Sequence, residues 1–210
     1  MTDFRYTLLG DGASDRCLVP VINWALRQIP NLPLGFTAQV ADLREKKPRV
    51  TGLSQRIKEA WRLFPCEVLF VHRDAEGMAL SGRLKEVEEA AREMKDLRYV
   101  PLVPVRMTEA WLLIDEKAIR QAADNPNGTE RLELPPIQKL ESLPDPKQWL
   151  HEALVLASEK KGRRLQQFKR DLPSRIHRVA ALIDDFSPLR RLPAFQQFET
   201  LTCERIDPLL

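Results

Sequence analysis

Asp11, Asp15, Asp74, Glu76 and Glu109 are the carboxylates of this 210-residue chain best placed to do chemistry. Each lies just after a short apolar run. Phe4 to Leu9 leads into Gly10-Asp11-Gly12-Ala13-Ser14-Asp15. Cys66 to Val71 leads into His72-Arg73-Asp74-Ala75-Glu76-Gly77, and Tyr99 to Val105 into Arg106-Met107-Thr108-Glu109. Carboxylates brought together from separate segments repel one another unless a cation lies between them. Such hard oxygen donors suit Mg²⁺ or Mn²⁺, which keep several waters and need only one or two protein carboxylates. The same acids also read as caps of the helices that follow them. Under either reading, Gly10 and Gly12 allow unusual backbone angles and close approach at the first turn.

Other chemistries have thinner support. The Gly-x-Gly-x-x-Gly pattern of dinucleotide sites fails because position 15 is Asp, and no Gly-Lys-Ser/Thr occurs. A Gly-x-Ser-x-Gly nucleophile elbow is also missing from the sequence. Cys17 reads as a small buried helix residue rather than a nucleophile. His72, at a strand end, is a candidate base or metal ligand. His151 and His177 fall on predicted helices as surface or interface residues.

The elements that must position these residues follow from periodicity. Phe4 to Leu9, Gly35 to Val40, Cys66 to Val71 and Tyr99 to Val105 read as strands. Between them, helical spacing joins Leu18, Ile22, Ala25, Leu26 and Ile29, with Ser14 as N-cap and Pro20 confined to the first turns. The same spacing joins Leu53, Ile57, Ala60, Trp61 and Phe64, and then Leu80, Leu84, Val87, Ala91 and Met94. Thr108 is expected to cap a helix starting at Glu109. Alternating strands and helices predict an α/β fold, with a mostly parallel four-stranded sheet covered by helices on both faces. In such sheets ligands bind beyond the carboxyl ends of the strands, where all three acidic segments fall.

Residues 1–123 therefore read as the α/β domain. Residues 124–146, with Pro126, Pro135, Pro136, Pro144 and Pro146, read as an extended connection. Residues 147–210 read as a basic helical subdomain docked on the sheet. No apolar run approaches a membrane span. No basic segment followed by an apolar stretch opens the chain, and Cys17, Cys66 and Cys203 form no disulfide or zinc pattern. The expectation is a cytoplasmic protein without a membrane partner.

The net charge is +3, but it is unevenly spread. From Glu159 to Arg178 eight basic residues meet two acids, a local +6 that leaves −3 for the remainder. Lys160, Lys161, Arg163, Arg164, Lys169 and Arg170 could contact nucleic-acid phosphates; the alternative is a solvated helix face. Phe168 alone is too little for base stacking.

Asp11-Gly12-Ala13-Ser14-Asp15 after a first strand resembles the Glu-Gly-x-x-Asp opening of TOPRIM domains. His72-Arg73-Asp74 sits where those domains carry Asp-x-Asp. Glu109-Ala110-Trp111-Leu112-Leu113-Ile114-Asp115 resembles the Glu-x-Trp-Leu-Leu stretch of a TOPRIM-like prokaryotic group, domain-of-unknown-function family 4276. Asp145-Pro146-Lys147, a basic helix, Leu189-Arg190-Arg191 and Pro193-Ala194-Phe195 extend the similarity through most of the chain.

The resemblance implies a metal-dependent nuclease or phosphodiester-processing protein, in anti-phage defence beside an ATPase partner. Asp11 would act as general acid/base or metal ligand, Asp74 would hold Mg²⁺ or Mn²⁺, and Glu109 would complete the acidic patch. Gly12, Asp15, Arg73 and Glu76 would support them. Two departures matter. Asp11 is one methylene shorter than the usual Glu, and His72 replaces a carboxylate with an imidazole better suited to transition metals than to Mg²⁺. They open the alternative of a catalytically degenerate module that binds nucleic acid or an ATPase. A small-molecule phosphohydrolase of another doubly wound fold is a third reading.

Overall fold

The computed structural model describes residues 4–32, 35–44, 49–75 and 77–206. Four strands, β1 (Phe4–Leu9), β2 (Phe36–Val40), β3 (Val68–His72) and β4 (Tyr99–Leu102), form one sheet in the order β2-β1-β3-β4. All three pairings are parallel. A parallel sheet needs crossover connections, and three helices supply them: α1 (Val19–Arg27), α2 (Leu53–Leu63) and α3 (Leu80–Ala91). The chain is thus an α/β protein of Rossmann-like architecture. Pro101 lies on β4, an edge strand, where a missing N–H costs no internal ladder bond.

Alternation along the strands divides the interior in two. Tyr6, Leu8, Val68, Phe70, Val100 and Leu102 face a large core with α1 and the C-terminal helices. Leu9, Leu69 and Val71 face a smaller one, with Ile57 and Ala60 of α2 and Val87 and Ala91 of α3. Thr7, fully buried on β1, is satisfied because its hydroxyl donates to the Phe64 carbonyl at 3.0 Å.

Five further helices follow among the described residues: α4 (Glu116–Ala122), α5 (Pro146–Ser158), α6 (Gly162–Arg170), α7 (Leu172–Leu182) and α8 (Pro193–Ile206). The segment expected to be extended holds a 3-10 turn at Ile137–Ser142, whose Leu140 is fully buried. The C-terminal helices share the larger core with the sheet. Trp111 packs edge-on against Phe195, with ring centroids 5.2 Å apart, and Phe198 of α8 lies 6.2 Å from Phe70 of β3.

Local details depart from sequence expectation at two caps. The first strand is followed by a 3-10 turn, Ala13–Leu18, capped by Gly12 rather than Ser14. The Ser14 hydroxyl instead donates to Asp15 at 3.2 Å. Likewise Thr108 does not cap: Met107 precedes a 3-10 turn, Thr108–Leu112, and the Thr108 side chain turns inward. Both hydroxyls are drawn away by polar groups of the site.

Candidate functional site

The site is assembled from the turns beyond the carboxyl ends of β1, β3 and β4. Its centre is His72, the last residue of β3 and 1% exposed. Nδ1 of His72 lies 3.1 Å from Asp15 Oδ2, at ion-pair distance but outside good hydrogen-bond geometry. Nε2 lies 3.2 Å from Asp74 Oδ1 and 3.2 Å from the Thr108 hydroxyl. Burial alone would discharge the imidazole. The two carboxylates outweigh it and raise its pKa to about 9, so His72 is an imidazolium at neutral pH.

Asp15 is held just as firmly. Its Oδ2 accepts from the backbone N–H groups of Asp11 at 2.6 Å and Gly12 at 2.9 Å. Burial opposes its ionisation, but His72 and these N–H donors prevail and lower its pKa. Gly10 makes room for this arrangement: a Cβ there would stand 2.5 Å from Asp15 Oδ2. Residue 10 must therefore be glycine for reasons of space.

Asp74, Asp15 and Glu109 line one cleft of about 100 Å³, together with Ser14, Thr108 and Lys147. Glu109 is 8% exposed. Burial raises its pKa, its own backbone N–H and Lys147 oppose the rise, and the charges of Asp74 and Asp15 add to it. Lys147 enters from the first turn of α5, where Asp145 caps the helix by accepting from Gln148 N at 2.9 Å. Cys17 borders the same cleft, but burial pushes its thiol up and keeps it protonated.

Asp11 stands apart from this cleft. Its carboxylate is gripped by Arg56 Nη1 of α2 at 2.5 Å and by Arg73 Nη1 at 2.8 Å. Arg56 also donates to the Gly10 carbonyl. Arg73 continues to Glu86 at 3.3 Å, and Arg83 joins Glu86 at 2.5 Å and the Asp74 carbonyl at 3.0 Å. The expected trio of Asp11, Asp74 and Glu109 is thus divided: Asp74 and Glu109 share a cleft, and Asp11 belongs to an arginine-rich rim. Glu76 lies outside the described residues.

No group of three or more His, Cys, Asp or Glu side chains poised to hold a metal is found among the described residues. The donor chemistry nevertheless fits one hard cation with few protein ligands. Asp74 and Glu109 offer oxygen, and Glu109 forms no ion pair with a cationic side chain among the described residues. Asp15 is tied to backbone N–H groups, Asp11 to arginines, and both His72 nitrogens face carboxylates. These three fit a supporting role better than a ligating one.

The basic segment is also divided. Lys160 donates to the Ala123 carbonyl at 3.2 Å and lies over the buried Phe168 ring, 5.0 Å from its centroid. Arg175 donates to the Ala122 carbonyl at 2.6 Å and pairs with Asp124 at 2.7 Å, and Arg178 also binds Asp124. These cations cap the C-terminal end of α4. Lys161, Arg163, Arg164, Lys169 and Arg170 remain exposed, with no ion pair among the described residues.

Sequence reasoning missed Arg56, Lys147 and the inward turn of Thr108. Arg56 sits in a helical pattern as an ordinary surface cation, Lys147 entered only through the Asp145-Pro146-Lys147 similarity, and Thr108 fits a cap equally well. No family model, curated protein or solved structure matches the chain. No described helix is long and apolar enough to cross a membrane.

Proposed function

We propose that the protein is a divalent-metal-dependent phosphodiester-processing enzyme of TOPRIM-like type, acting on nucleic acid. One observation carries the reading. Carboxylates from two different strand ends, Asp74 and Glu109, line a single small cleft beside an arginine-rich rim at the carboxyl edge of a parallel sheet. Asp74 and Glu109 are the residues that would hold Mg²⁺ or Mn²⁺. Such an ion neutralises phosphate charge and acidifies a bound water. His72 orients Asp74 through Oδ1 and keeps a positive charge behind it, leaving Oδ2 as the remaining acceptor. Asp15, at ion-pair distance from Nδ1, balances the imidazolium charge from the other side. Lys147 adds positive charge in the cleft where a phosphate oxygen would lie. An ATPase partner and an anti-phage setting belong to the same proposal and rest on the resemblance.

The test is cleavage of labelled DNA and RNA by purified protein with Mg²⁺ or Mn²⁺. Activity is expected with metal, absent with chelator, and lower by about a hundredfold or more in Asp74→Asn, in line with loss of a metal-bound catalytic group. Wild-type inactivity with both metals, with and without an ATPase partner, would contradict the reading.

A second reading has its own support: a degenerate module that binds nucleic acid or a partner without cutting. Asp11, which would take the place of the resembling family's catalytic Glu, is neutralised by two guanidinium groups. Here Asp74→Asn would leave nucleic-acid binding and biological activity intact.

A further inference from the structure

A second cavity, of about 500 Å³, opens beyond the carboxyl ends of β1 and β2. One part of its wall is apolar, from Val40, Leu43 and Val50, and another is cationic, from Arg44, Arg49 and Arg56. Its two aspartates are already matched. Arg44 binds Asp42, with Nε donating at 2.8 Å, and Asp11 is shared between Arg56 and Arg73. Arg49 is exposed and makes no hydrogen bond or ion pair among the described residues. Among the described lining residues it is the cation left without a partner.

Arg56 shows how an anion would be held. Its guanidinium, with the side chain 21% exposed, uses one nitrogen on the Asp11 carboxylate and the other on the Gly10 carbonyl. Guanidinium groups bind phosphate with the same planar donor geometry that they offer carboxylate. A volume of this size matches organic ligands and exceeds what a bare phosphate needs.

We propose that this cavity binds a nucleoside phosphate. Its phosphate would lie on Arg49 and Arg56, with Asp11 giving way on Arg56, and its less polar body against Val40, Leu43 and Val50. The site is distinct from the acidic cleft and does not depend on catalysis there.

Titration calorimetry on the full chain tests it, in chelator so that no metal contributes, with nucleoside mono-, di- and triphosphates and with inorganic phosphate. Wild type is expected to bind a nucleoside phosphate more tightly than inorganic phosphate. Arg49→Ala, which removes no hydrogen bond or ion pair among the described residues, is expected to weaken binding about tenfold or more, the usual scale for a lost charge-assisted contact. Asp11→Asn is expected to tighten it by removing the competing carboxylate. Lys139→Ala, on the exposed side of the 3-10 turn at Ile137–Ser142, is expected to leave it unchanged. Absence of nucleoside phosphate binding by wild type, or equal affinity for inorganic phosphate, would overturn the proposal. So would undiminished binding by Arg49→Ala, or loss on changing Lys139 instead. Failure of metal-dependent cleavage would leave every arm of this test readable.

Discussion

His72 shows how one residue couples the fold to the site. Its imidazolium joins Asp15 on the β1 turn to Asp74 on the β3 turn, and Thr108 beyond β4 reaches the same nitrogen as Asp74. The pH dependence follows from the sign of its shift. The folded pKa, about 9, lies above the ordinary 6.5. The stabilisation is therefore complete below pH 6.5 and is lost as pH rises through about 9. Urea unfolding across that range is expected to show declining stability in wild type and little decline in His72→Asn. At neutral pH the variant should be less stable by about 3–5 kcal/mol, the usual consequence of leaving a buried charge without its partner. A flat wild-type profile would mean that His72 is neutral in the fold. The sequence placed His72 at a strand end. Asp74 was legible beside it in His72-Arg73-Asp74, but Asp15 was not legible as a partner, because it lies 57 positions away and reads locally as a cap.

At the scale of elements, periodicity was a good guide and terminal chemistry a poorer one. The first strand, Phe4 to Leu9, and the onset of α2 at Leu53 fall where the apolar pattern puts them. Strand ends moved by a few residues: β3 runs to His72 and β4 stops at Leu102, before the turn that carries Arg106 at φ 72°. Ser14 and Thr108 misled as caps because other groups claimed their hydroxyls, the adjacent Asp15 for Ser14 and the distant His72 for Thr108. The basic stripe was legible as charge but not as division of labour, since nothing local tells Lys160 and Arg175 that the open end of α4 lies beside them. This division yields a prediction at the same scale. Arg163→Ala/Arg164→Ala on α6 is expected to weaken nucleic-acid binding uniformly across sequences. It should also reduce the salt slope, log Kd against log salt, by roughly 2 for duplex DNA. An unchanged slope would remove α6 from the interface.

Across the whole molecule, the sheet and the C-terminal helices are joined through one core. Trp111, fully buried, sits between the site turn and α8, against Phe195 and Phe198. Its indole N–H has no hydrogen-bond partner among the described residues, so the residue is held by bulk rather than by polarity. Trp111→Ala is expected to cost about 3–5 kcal/mol by denaturant unfolding, as for other large aromatic truncations in packed cores. A cost below about 1 kcal/mol would mean that the two parts are only loosely coupled. The parallel α/β architecture and the edge on which the site lies could be read from the order of elements. That Asp11 turns away from Asp74 and Glu109 could not, because Asp11 and Asp15, four residues apart, are turned to different partners by one tight turn. The central claim is that Asp74 and Glu109 together hold a divalent cation. It is tested most directly by titrating Mn²⁺ into wild type and into Asp74→Asn and Glu109→Gln by calorimetry. The account predicts one site in wild type, tighter at higher pH because Glu109 must lose its proton, and lost in either variant. Absence of binding in wild type, or undiminished binding in either variant, would contradict it.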